Sequence, residues 1–368
     1  MTKLCRAIAF YLPQYHPIPE NDVWWGKGFT EWTITAKAKP IFPGHYQPHV
    51  PADLGFYDLR MPETRIAQAE MAREYGIEGF CYYHYWFGGK RLLERPFNEV
   101  LKSGKPDFPF CLCWANETWS GKWHGCPDKI LIEQTYPGKE DEERQFYSLL
   151  PAFNDHRYMN VDGKPIFLFY RPNMLPDSNR LTDHWRDLAS KNGLKGLYLI
   201  GTGNEPWRPE LHGFDAAATQ KPFHAAAMGQ MRFTRKLRRV HRRLLKYPTE
   251  IYSYRKILPH LLMPEAVKGN VHPCVIPNWD NTPRSGLNGL VLHGSTPELF
   301  RTHLQGTLKQ ILHKPIEYRL LFIKSWNEWA EGNHMEPDLR FGKSYLEVFR
   351  DEACTRQISE SHQEIPHI

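Results

Sequence analysis

Nowhere in its 368 residues does the chain hold eighteen consecutive apolar residues, so no transmembrane helix is expected. The first residues, Met-Thr-Lys-Leu-Cys-Arg, run straight into a strand-like segment. With no apolar signal core and no small-residue cleavage site there, no secretory leader is expected. Gly/Ser linkers, low-complexity tracts and internal repeats are missing, which favours one large domain over several. Cysteine is sparse, odd in number at 7 and scattered. Cys81, Cys111 and Cys113 sit inside apolar runs, a pattern of reduced, buried thiols in a cytoplasmic protein rather than a disulfide framework. No Gly-x-Gly-x-x-Gly or Walker loop follows the first strand, which argues against a nucleotide-binding fold, and no Asp-x-Asp metal motif occurs. Cys111-Leu-Cys113 has the wrong spacing for a zinc knuckle, and His45 and His49 flank Pro48 with no third ligand near in sequence. No metal and no cofactor are therefore expected.

Acidic residues are missing from one place where basic ones abound. The net charge is +6, yet eight basic residues and no acidic one lie between Arg232 and Lys246. Subtracting them leaves the rest of the chain slightly acidic, so the basicity is local and does not mark a nucleic-acid-binding surface. Within that segment Phe233, Leu237, Val240 and Leu244 recur at spacings of four, three and four, the stripe of an amphipathic helix with a basic opposite face. Adsorption to an anionic inner leaflet, contact with an acidic glycan, and a simple solvated barrel-side helix are all open for it.

What the chain has in excess is aromatic: 12 Trp, 18 Tyr and 20 Phe. Trp and Tyr carry polar atoms that need partners, so their abundance points to a lined cleft for flat, partly apolar ligands such as sugars. Eight short apolar runs read as strands: Ala7–Tyr11, Ile77–Tyr83, Phe108–Trp114, Pro165–Tyr170, Gly196–Gly201, Phe214–Thr219, His272–Pro277 and Leu320–Ser325. Helical patterns fall at Pro62–Tyr75, Leu181–Lys191, Pro297–Leu312 and Ser344–Cys354. Apolar strands alternating with helices predict an α/β fold, a single (β/α)8 TIM barrel with long loops at its C-terminal face. The basic segment, residues 228–268, is expected as a helical insert between strands six and seven.

Catalytic residues in such barrels follow the strand C-termini. Strand one is followed by Tyr11-Leu-Pro-Gln-Tyr-His16, Trp24 and Glu31-Trp32. Strand two leads to His84 and Trp86, and strand three to Trp114, Asn116, Glu117 and Trp119. Strand four ends at Tyr170-Arg171, and strand seven is followed by Trp279, Asn281 and Arg284. Beyond strand eight lie Trp326-Asn327-Glu328-Trp329, Glu331, His334 and Glu336. Aromatic faces stack on sugar C–H surfaces, while Asn, His, Arg and carboxylates bind hydroxyls. Glycosidic chemistry needs two carboxyl groups across the scissile bond, and Glu328 and Glu331, three apart, can share a face. They are the expected catalytic pair, and of the other residues named here all but Leu12, Pro13, Gln14 and Tyr15 are substrate-binding candidates. Glu205, in Asn204-Glu205-Pro206, is the competing catalyst. Asn98-Glu99 reads as helix surface, and Lys221 as a structural or hydrogen-bonding residue rather than a Schiff-base lysine.

These residues resemble glycoside hydrolase family 99 and, more closely, the WbsX-like proteins, often labelled glycosyltransferases and found among bacterial surface-polysaccharide genes. The likeness to WbsX-like proteins runs nearly full length, from Tyr11-Leu-Pro-Gln-Tyr-His16 through Gly79-Phe-Cys-Tyr-Tyr-His-Tyr-Trp86 and Gly163-Lys-Pro165 to Asn327-Glu-Trp-Ala-Glu-Gly332 and Glu336-Pro337. For family 99 it is confined to the barrel plan and scattered motifs. Family 99 enzymes cleave within α-mannosidic chains with retention and without metal, through a 1,2-anhydro sugar. By that resemblance Glu328 is the base on the substrate's 2-hydroxyl, and Glu331 protonates the leaving oxygen and later activates water or an acceptor. The front motif with Tyr11, His16 and Trp24 and the basic insert depart from the family 99 pattern. Three functions follow as expectations. The first is a retaining endo-glycosidase or transglycosylase acting on a surface polysaccharide or its lipid-linked precursor, in the cytoplasm or peripheral to the inner membrane. The second is a glycosyltransferase using an activated sugar donor, and the third a non-catalytic glycan-binding barrel.

Overall fold

The computed structural model describes residues 2–121, 129–203, 207–219, 250–262 and 269–355. Eight strands form the core: β1 (Arg6–Tyr11), β2 (Gly79–Phe87), β3 (Phe110–Trp114), β4 (Lys164–Phe169), β5 (Tyr198–Gly203), β6 (Ala216–Thr219), β7 (Val271–Val275) and β8 (Leu320–Ile323). Each pairs in parallel with its sequence neighbour, and β8 pairs with β1, for instance Phe322 opposite Ile8. The sheet is therefore a closed eight-stranded parallel barrel. Closure removes every edge and buries both faces, which is why β3 (Phe-Cys-Leu-Cys-Trp) is buried at every position.

Ten helices are described, α1 (Pro19–Trp25), α2 (Glu31–Lys37), α3 (Pro62–Glu74), α4 (Arg95–Ser103), α5 (Lys139–Phe153), α6 (Ser178–Lys191), α7 (Tyr254–Leu261), α8 (Thr282–Ser285), α9 (Pro297–Ile311) and α10 (Ser344–Ala353). Their starts follow local chemistry: the Asp177 side chain accepts the Arg180 N–H to begin α6, and Thr296 caps α9 through the Leu299 N–H. The outer layer packs through aromatic side chains. Trp185 on α6 is fully buried against Phe146 of α5 and Phe167 and Phe169 of β4. A small parallel pair, Glu250–Ser253 with Leu290–His293, leads into a satellite core under α7.

The strand boundaries expected from sequence shift by a few residues, most tellingly in strands two, five and six. The strand expected from Ile77 begins at Gly79 and continues to Phe87, turning at Gly88 and Gly89 into an antiparallel partner, Lys90–Leu92. The fifth strand begins at Tyr198, because Gly196 has a φ of 122° that extended backbone does not use. The sixth begins at Ala216, after the Asp215 side chain has accepted the Leu199 N–H and an Arg186 N–H. The six described cysteines are buried and unpaired. Among the described residues no helix is long and apolar enough to cross a membrane. The expected basic helix, with Arg232–Lys246, lies outside the described residues, as do Glu205 and Lys221.

Candidate active site

At the C-terminal end of the barrel lies a cleft of about 470 Å³. Its floor is Lys324, just past β8, buried at 1% exposure. The Lys324 Nζ donates to Glu328 Oε2 at 2.6 Å and to the Tyr83 hydroxyl at 2.8 Å. It also sits 5.4–5.8 Å from the ring centres of Phe10, Tyr83, Tyr170 and Trp279. Burial, the largest single effect, would depress the lysine, but Glu328, Tyr170 and Glu331 together outweigh it and the net shift is upward, so the ammonium stays charged. For Glu328, burial is the larger effect and raises the carboxyl above its ordinary range, while Lys324 opposes that rise.

The second carboxylate in the cleft, Glu331, accepts from Arg284 Nη1 at 2.7 Å. The other arm of Arg284 bonds Glu31 on α2, which is wholly buried. Burial raises the Glu31 carboxyl, and the Arg284 charge opposes it. One guanidinium thus ties α2, α8 and the loop after β8 together. The turn itself needs glycine: Gly332 has a φ of 62°, and a Cβ there would lie 2.9 Å from the Asp280 backbone nitrogen.

Of the residues expected at a substrate site, Glu117, Trp119, Tyr170, Arg171, Trp279, Asn281 and Arg284 line the cleft with Glu328 and Glu331. Arg171 pairs with Glu117 and lies over the Tyr170 ring at 4.8 Å. A second group backs the wall. Asn116 is one, joining the loops after β3 and β4 by accepting the Arg171 N–H and donating to its carbonyl. Asn327 staples Leu12 in the same way. Trp32 packs on Trp329 at 5.5 Å, and Trp24 lies edge-on to Trp119 at 5.9 Å. Glu31 anchors Arg284. Trp326 is fully buried beside Phe80, and His334 stacks on Trp329 at 3.8 Å.

The rest point away from the cleft. Tyr11 bonds Gln68 on α3, and His16 bonds the Pro13 carbonyl. Trp86 donates to Asp141 on α5, while Trp114 donates to the Trp86 carbonyl and packs beside Phe169. His84 is buried on the same outward face of β2 as Trp86. Glu336 accepts from Tyr57, Gln68 and Trp329, behind the wall.

Sequence reasoning missed several cleft residues. Tyr83 and Tyr85 face it because β2 continues through them and alternates. Lys324 read as strand, while Gln14 follows β1 directly and Asn21 and Trp25 sit on α1 within the same long connection. Asn21 is buried, and neither polar end of its side chain has a hydrogen-bond partner among the described residues. A buried amide at a cleft wall with both ends unpaired is suited to a ligand hydroxyl or a water. Two further candidate ligands that are remote in sequence, His334 and Asp338, stand beside His49.

The family model described as Glycosyltransferase WbsX matches residues 7–349. Protein WxcX of Xanthomonas campestris pv. campestris strain B100 is 39% identical over 353 residues, covering 95% of this chain and 49% of WxcX. WxcX of a second strain is equally similar. The chain thus spans about half the length of the curated relatives it matches. Among solved structures, the GH99 endo-alpha-mannosidase from Bacteroides thetaiotaomicron superposes with a TM-score of 0.58 at 15% identity, covering 94% of this chain and 97% of that one. A glycoside hydrolase-like protein gives a TM-score of 0.58 at 15% identity over 97% and 95% of the two chains. These two structures share the barrel fold.

Two outcomes follow from the site's electrostatics. Arg284→Met strands the Glu31 carboxylate in the interior and should cost about 3 kcal/mol in urea denaturation, whereas adding Glu31→Gln should return much of that loss. Glu336 is pushed up to about 7 by burial, which its three donors only partly offset. The folded state then binds more protons than the unfolded state between about pH 4.5 and 7. Its contribution is complete at the acid end of that window and is lost as pH rises through 7. The pH–stability profile of Glu336→Gln should lack that decline.

Proposed function

The chain belongs to the WbsX glycosyltransferase family, and from that premise we propose that it remodels glycosidic bonds with Glu328 and Glu331. A carbohydrate-active enzyme on a (β/α)8 barrel is the broader class. The observation that carries the finer reading is the shared cleft. Two buried carboxylates face it, each held by its own cation, Lys324 for Glu328 and Arg284 for Glu331. Rings of Tyr85, Trp119, Tyr170 and Trp279 supply stacking faces, and Arg171, Asn281 and Asn21 supply hydroxyl partners.

In the proposed reaction Glu328 removes the proton of the 2-hydroxyl, whose oxygen attacks C1 as the C1–O glycosidic bond breaks. Glu331 gives its proton to the leaving oxygen. In the second step the Glu331 carboxylate takes a proton from water or from an acceptor hydroxyl, whose oxygen bonds to C1 and opens the three-membered ring. Glu328 returns the proton to O2, and the configuration is retained. A raised carboxyl suits Glu328 as a base, because proton transfer is most effective when the base is matched to the working pH. Lys324 keeps a counter-charge beside it. Arg284 meets the charge left on Glu331.

The substrate in this reading is an oligo- or polysaccharide of the bacterial surface, or its lipid-linked precursor. The basic segment Arg232–Lys246 would bring the enzyme to an anionic inner leaflet. Transfer from an activated sugar donor is the second reading, favoured by the description of the family. Incubating the protein with its cognate surface polysaccharide, with and without sugar nucleotide, separates the two. The expected result is chain shortening or chain exchange without nucleotide; extension that depends on nucleotide would support the second reading instead. Glu331→Ala should lose turnover by about 10²–10⁴-fold while still binding glycan, and near-normal turnover would remove Glu331 from the mechanism.

A further inference from the structure

A second cavity, of about 180 Å³, lies behind the cleft. The segments 279–281 and 331–334 separate the two: Asn281 and Glu331 face the cleft, while Asp280 and His334 face the cavity. Three of its buried side chains converge. His49 Nδ1 is 3.0 Å from His334 Nε2, and that nitrogen is 3.9 Å from Asp338 Oδ2. One ligand atom from each of the three falls within 4.8 Å of the others. Donor atoms about 2.0–2.2 Å from a tetrahedral ion stand roughly 3.3–3.6 Å apart, so small side-chain movements would close this set around one.

The surrounding hydrogen bonds aim these atoms. His334 Nδ1 donates to the Glu336 carbonyl at 2.9 Å, which leaves the Nε2 lone pair directed at the cluster. A backbone carbonyl on the far imidazole nitrogen is the usual support of a metal-bound histidine. Asp338 Oδ1 is occupied by the N–H groups of Arg340 and Phe341, at 3.0 and 2.7 Å, leaving Oδ2 toward the imidazoles. Arg340, whose charge disfavours a cation, is stacked over Tyr46 and Phe341.

We propose that His49, His334 and Asp338 bind one divalent transition-metal ion of the zinc class. Two imidazoles and one carboxylate suit that class, with the remaining position open to water. The ion joins two segments that already pair, through Ala52 N–H to the Pro337 carbonyl and Leu339 N–H to the Val50 carbonyl, both at 2.9 Å. It is therefore a clamp on the loop that carries Glu331, and it stands whether or not the proposed reaction does.

The test uses the full chain, stripped with chelator and titrated with Zn²⁺. Metal content after desalting, the melting temperature and the visible spectrum with Co²⁺ as a substitute are read. Wild type should retain about one equivalent and melt several degrees higher with metal. Cobalt should give the ligand-field bands of a four-coordinate nitrogen–oxygen site. His49→Gln and Asp338→Asn should weaken Zn²⁺ binding by at least about 100-fold, with unchanged circular dichroism when metal-free. Failure of wild type to bind at about 100 µM Zn²⁺, or binding by both variants as tight as wild type's, overturns the proposal. Should the variants fail to fold, a wild-type cobalt spectrum identical to that of the free aqueous ion overturns it equally.

Discussion

A lysine ammonium with 1% exposure sits at the mouth of the barrel, and much of the site is arranged around its charge. Taking such a group out of water costs several kcal/mol unless it is matched. Glu328 matches it at 2.6 Å, the Tyr83 hydroxyl accepts a second hydrogen bond at 2.8 Å, and four aromatic faces enclose the remainder. The rings come from β1, β2, the end of β4 and the loop after β7. One charge therefore draws four segments of the barrel to a common point. Here Glu328 is both structural counter-ion and proposed base.

Arg284 repeats the logic at the neighbouring carboxylate. Its two arms hold Glu31 and Glu331, so the charge facing the cleft is set by one that lies wholly inside. The difference between the partners matters. Lys324 offers a point charge that also satisfies a tyrosine, whereas Arg284 has a planar fork that fixes two carboxylates in one geometry. The aromatic wall then has two jobs. Residues such as Tyr170 and Trp279 line the cleft, while Trp32, Trp326 and Trp329 are buried behind it.

How much of this was legible in the sequence depends on the kind of information needed. The barrel was readable because strands buried on both faces leave uninterrupted apolar runs, and eight of them alternate with helices. Glu328 and Glu331 were readable because a local motif places them after the last strand. Side-chain direction was harder. In Gly79–Phe87 both faces of the strand are aromatic, so composition could not say that Tyr83 and Tyr85 point inward while His84 and Trp86 point to the helices. Lys324 hid as the continuation of an apolar strand. Asn21 was not legible, because the path of a long connection is set by tertiary packing. His49 and His334, 285 residues apart, meet only once the barrel closes.

The central claim is that Glu328 titrates under the opposed control of burial and the Lys324 charge. The direct measurement is the titration of the Glu328 carboxyl carbon by ¹³C NMR, assigned by comparison with Glu328→Gln, in wild type and in Lys324→Met. Removing the counter-charge while keeping the carboxyl buried should move its midpoint upward by at least about one pH unit. A midpoint that stays where it was, in a folded Lys324→Met protein, would contradict the account.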